Sequence, residues 1–85
     1  MAYPTDWKTI VPLILSSDYK ERFKGEVYEL SRRSQALEET LKKSKEGKLD
    51  FELKSGTAAL EKQLKSMKEY LEVLELRAKL EDISL

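Results

Sequence analysis

The chain has 85 residues, 16 basic side chains against 16 acidic ones, and neither cysteine nor histidine. A single domain of this size sits near the lower limit for an unaided core, and the missing residue types exclude disulfides, thiolate metal sites, the commonest zinc ligand and the commonest general base. Charge balance argues against generic nucleic-acid binding, which needs a basic excess, and the longest apolar run, Ile10 to Leu15, is broken by Pro12 and too short to span a bilayer.

The first segment, residues 1–17, is expected to be a short or kinked helical arm. Thr5 or Asp6 can accept from the open amides of a first turn. Trp7, Ile10, Val11, Ile14 and Leu15 recur at helical spacing, with Pro12 interrupting, because proline lacks the amide donor and crowds the preceding turn. One lysine, Lys8, and no long apolar region do not read as a signal peptide. A cytoplasmic setting is expected.

Ser16-Ser17-Asp18 marks a second start, with Asp18 and Glu21 favouring the positive helix end. Over residues 18–46, Tyr19, Phe23, Val27, Leu30, Leu37 and Leu41 form a heptad-like stripe, with Ser34 in the missing slot. Gly25 lies inside this helix and costs about 1 kcal/mol relative to alanine. Gly47 is placed to end it, since glycine adopts the left-handed conformation freely. Residues 47–56 read as a connector, in which Leu49, Phe51 and Leu53 alternate with polar residues. An extended loop tucking these three under the turn is expected rather than a strand, which would have no partner.

Residues 57–83 carry the clearest periodicity. Leu60, Leu64, Met67, Leu71, Leu74 and Ala78 follow steps of four and three, a helix-pairing seam without glycine or proline. At about 100° per residue, Val73, Leu76, Leu80 and Ile83 lie nearly opposite. A two-helix hairpin covers only one of these faces, so the second must meet Trp7 and the arm, another protomer or an external partner. The fold expected is all-α: one domain, residues 1–85, a long antiparallel two-helix hairpin of coiled-coil type with a short N-terminal helical arm.

No phosphate-cradling loop, metal motif or catalytic constellation occurs, so no enzyme, cofactor or metal site is expected. Clustered carboxylates such as Glu72 and Glu75 stand among Lys68, Arg77 and Lys79 and read as solvated ion-pair faces. Tyr19, Arg22, Tyr28, Arg32 and Arg33 set aromatic and guanidinium groups along one helix. Guanidinium pairs with phosphate and rings stack on bases, so they are candidate anion or ligand contacts. The favoured reading is plainer: Tyr19 and Phe23 are core, Tyr28 is a flank residue and the charges are ordinary surface.

Asp6-Trp7-Lys8, Val11-Pro12, Asp18-Tyr19-Lys20-Glu21-Arg22-Phe23, Gly47-Lys48-Leu49-Asp50-Phe51, Glu61-Lys62-Gln63-Leu64-Lys65-Ser66-Met67 and Tyr70-Leu71-Glu72-Val73-Leu74-Glu75 through Arg77-Ala78 together resemble a family of small helical proteins of Firmicutes phages and prophages, related to a crAss-like phage protein. The resemblance implies a phage setting in a bacterial cytoplasm and an anti-defence role. Taken with the second apolar face of residues 57–83, it points to a protein that self-associates through its C-terminal helix and blocks a host protein. The alternative, by similarity in outline to the anti-CBASS and anti-Thoeris sponges, is a homo-oligomer that sequesters a cyclic nucleotide immune signal. The expected partners are therefore further copies of the chain and a host protein or a small nucleotide, with no membrane and no nucleic acid.

Overall fold

In the computed structural model, residues 2–85 are described; Met1, the first residue of the expected arm, lies outside them. Asp6 opens α1 (Trp7–Ile14), its carboxylate accepting from the Thr9 amide at 3.0 Å and from the Thr9 hydroxyl at 2.7 Å. These bonds hold its carboxyl below the usual range. Pro12 sits within α1, yet the Leu15 amide still reaches the Val11 carbonyl at 3.0 Å.

Asp18 caps α2 (Tyr19–Lys45) by accepting from the Lys20 amide. Glu21, at the third helical position, accepts from the Ser16 hydroxyl. The helix ends as its glycine predicts: Gly47 has φ +67°, and the Lys48 amide bonds back to the Lys43 carbonyl at 2.9 Å, closing a Schellman turn. The connector has no strand. Leu49 and Leu53 are half-buried, but Phe51 is 59% exposed, so only two of the three apolar side chains are tucked in.

Helix α3 (Thr57–Leu80) runs back along α2. Along the residues of the expected seam, Leu60, Leu64, Met67 and Leu71 are half-buried and Leu74 and Ala78 are buried. Facing it on α2 are Phe23, Val27 and Leu41, with Ser34 buried in the polar slot and satisfied by donating to the Ser31 carbonyl at 2.9 Å.

The third helix ends earlier than its periodicity predicts, and this corrects the placement of Ile83. After Leu80 the chain turns through Asp82 at φ +55°, and the Ile83 amide donates to the Ala78 carbonyl at 2.8 Å. This is a second Schellman turn, with aspartate where glycine is usual. It folds Ile83 inward to 7% exposure, into the core with Ala78. Ile83 therefore does not belong to an outward face. Asp82→Gly is expected to stabilise the protein by about 0.5–1 kcal/mol, by relieving the left-handed penalty of a side-chain-bearing residue. The midpoint of urea unfolding checks this, and an unchanged or lower midpoint would contradict the reading.

The core lies at one end of the hairpin, where α1 also packs on α2. It joins Ile10 of α1, Phe23, Val27 and Tyr28 of α2, and Leu74 and Ala78 of α3 to Tyr3 and Ile83 from the flanking segments. Toward the connector only two helices are present, and the seam is less buried there. The molecule is elongated, about 42 × 25 × 20 Å.

Candidate functional site

The segment before α1 closes one side of the bundle. Tyr3 is 7% exposed, stacks on Tyr28 with ring centroids 5.6 Å apart, and donates its hydroxyl to Glu75. Burial, then the Glu75 carboxylate, pushes the Tyr3 phenol up to about 12. The other side stays open. There Arg22, Glu26, Glu29 and Arg33, at steps of four, three and four, form a stripe along α2. With Leu30, Ile14 of α1 and Tyr70 of α3, they line a cavity of about 320 Å³.

Both carboxylates of this groove are already engaged. Glu29 takes a bidentate contact from Arg32, the shortest arm at 2.6 Å. Glu26 accepts from the Tyr70 hydroxyl, which holds that phenol above its ordinary value. Arg22 spends one nitrogen on the Ser16 carbonyl at 3.0 Å. Arg33 makes no hydrogen bond or ion pair with the described residues. The groove thus offers one free guanidinium, one mostly free guanidinium and an aromatic ring that is 45% exposed.

The five candidate ligand contacts do not converge as a set. Arg22 and Arg33 both line the groove, about 16 Å apart along α2. Arg32, one residue from Arg33 and so about 100° around the helix, turns toward α1. Its guanidinium lies 4.4 Å from the Trp7 ring centroid, a cation–π contact. Tyr28 is core. Tyr19 is not core: it is 47% exposed, donates to Glu81 at 2.6 Å and accepts from Arg77 at 3.0 Å. These bonds raise the Tyr19 phenol and lower the Glu81 carboxyl. Arg77 also stands 5.0 Å from the Phe23 ring centroid, so this cluster clamps the start of α2 to the end of α3. Tyr70 is the groove residue that the sequence reading missed. Its signal was an aromatic one helical turn before Leu74, on the edge of the seam.

The expected outward face of α3 is present for three of its members. Val73, Leu76 and Leu80 are 51, 56 and 75% exposed. Trp7 does not cover them, because it rests on Arg32 of α2 and α1 makes no helix packing with α3.

A larger cavity, about 690 Å³, runs along the open end of the hairpin over Leu41 and Leu64. Lysines and glutamates alternate around it, with Lys68 paired to Glu38 at 3.1 Å, so no one charge sign converges there. Among the described residues no helix is long and apolar enough to cross a membrane.

No curated protein and no solved structure matches the chain. Residues 17–80, about three quarters of its length, match one family and take in α2, the connector and α3, with the groove wall at Tyr70. By this match the chain belongs to the Sequestin family.

Proposed function

We propose that this protein works by sequestration, holding a small phosphorylated ligand of the nucleotide class in the groove between Arg22, Arg33 and Tyr70. In a phage-borne setting that ligand is a cyclic nucleotide immune signal, and binding without turnover lowers its free concentration. The observation that carries the reading is Arg33, with no ion-pair partner among the described residues, in a groove that Arg22 also lines and whose two carboxylates are both occupied. Guanidinium groups recognise phosphate oxygens in pairs, and the exposed Tyr70 ring offers a face on which a base can stack. The cavity is at the small end for ligand sites, which suits a single nucleotide unit per groove. The family name points the same way.

The test is calorimetry of the purified protein against a panel of cyclic and linear nucleotides, paired with chromatography of the released ligand. One nucleotide is expected to bind and to be recovered unchanged. Arg33→Ala should weaken it about tenfold or more, as loss of a charge-assisted contact does. A second reading, in which the protein blocks a host protein, is favoured by the exposed Val73, Leu76 and Leu80. Absence of heat with every nucleotide, together with specific capture of one host protein, would remove the sequestering account in its favour.

A further inference from the structure

The outward stripe of α3 is an apolar surface that no described part of the chain covers. Val73, Leu76 and Leu80 follow steps of three and four, the spacing of a second helical seam. On one border of the stripe stand Glu72 and Lys79, both exposed and neither in an ion pair with the described residues. On the other stand Tyr70 and Arg77, whose polar ends are already held by Glu26 and by Glu81 and Tyr19.

We infer that the occupant is a second copy of this chain, docked α3 against α3 and antiparallel, with the two-fold axis between Leu74 and Glu75. Charge and helix length set this register. An antiparallel seam pairs the two kinds of seam position with each other, so Val73 lies opposite the partner's Leu76, and by symmetry the contact occurs twice. The same alignment brings Glu72 beside the partner's Lys79, again twice, joining the two unspent charges of the border. Leu80 then lies along the stem of the partner's Glu69 at each end. The shared length runs from Glu69 to Leu80, roughly 18 Å of helix.

Other alignments fail on the same residues. Sliding by one heptad sets Leu76 opposite the partner's Leu80, but it brings Lys79 against the partner's Lys79. It also carries Val73 beyond Leu80, where the chain turns to bury Ile83. Parallel pairing would offer Glu72 only the partner's Arg77, whose guanidinium is already bound to Glu81 at 3.1 Å and lies over Phe23. A short overlap of this kind falls below the standard size of stable interfaces, so micromolar association follows. This dimer does not depend on the sequestering reading, because ligand binding and association are measured separately.

Sedimentation equilibrium on the full chain, with helicity followed by circular dichroism, tests it. The protein is expected to dimerise with a micromolar constant. Glu72→Lys and Lys79→Glu should each weaken association about tenfold, and the two together should restore it by exchanging the charges. Leu76→Glu should give a monomer of unchanged helicity. Because the chain has no cysteine, oxidative cross-linking supplies an independent measure of direction. A protein carrying Val73→Cys mixed with one carrying Leu76→Cys should form the mixed disulfide faster than either forms its own. A wild-type monomer at several hundred micromolar, a double charge exchange as weak as the single changes combined, or preferential Leu76→Cys self-cross-linking would each overturn the proposal.

Discussion

Leu74→Ala is expected to cost about 2–5 kcal/mol, the range for removing a fully buried leucine and leaving a cavity. Leu74 is 0% exposed and sits where all three helices contribute to the core, among Ile10, Phe23 and Val27. Its neighbours come from separate elements with their own anchors, so collapse around the missing methyls is limited and the cost should fall in the upper half of that range. Marginal stability of about 0.05–0.15 kcal/mol per residue makes such a loss a large share of the total. Leu64→Ala provides the comparison. Leu64 occupies an equivalent seam position but is half-buried and lines the open cavity toward the connector, so its truncation should cost about half as much or less. Urea unfolding followed by circular dichroism measures both. Equal losses at the two positions would show that the core is not concentrated at the three-helix end.

That concentration was only partly readable from residue spacing. The seam of α3 and the glycine end of α2 were legible because each rests on a local rule, a heptad step in one and left-handed glycine in the other. The turn at Asp82 was not. Aspartate carries no strong signal for a positive φ, and the hydrophobic period ran on through Ile83, so an inward residue looked like an outward one. The groove shows the same limit. Arg22, Arg32 and Arg33 were recognisable as candidate anion contacts, but separating Arg33 from Arg32 required knowing which side of α2 the first helix covers. Charge and aromatic content are properties of a residue, whereas an unspent guanidinium is a property of its neighbours. Trp7 makes the point from the opposite direction. A large apolar ring was one candidate cover for α3, and instead it lies against a cation on α2.

What decides the side α1 covers is Gly25, and its replacement should release that helix. From spacing alone this glycine is a liability in the middle of α2, worth about 1 kcal/mol against alanine. The structure gives the reason for it. A Cβ at position 25 would stand 2.8 Å from the Ile14 amide nitrogen, 3.0 Å from Ile14 Cγ1 and 3.1 Å from the Leu13 carbonyl carbon. Two of these atoms are backbone, so no rotamer change relieves the clash and α1 must move as a body. Overpacking of this kind costs about 1–3 kcal/mol, which exceeds the helix propensity that alanine recovers. Gly25→Ala should therefore destabilise despite being a better helix former, and Gly25→Val should destabilise further. The single tryptophan reports where the loss occurs. Because Trp7 lies on α1 against Arg32, its emission should change at lower urea than the helical dichroism, with α1 leaving before the hairpin unfolds. Coincident transitions at a higher midpoint than the parent protein would mean that Gly25 is only a weak spot in α2 and not the place where α1 docks.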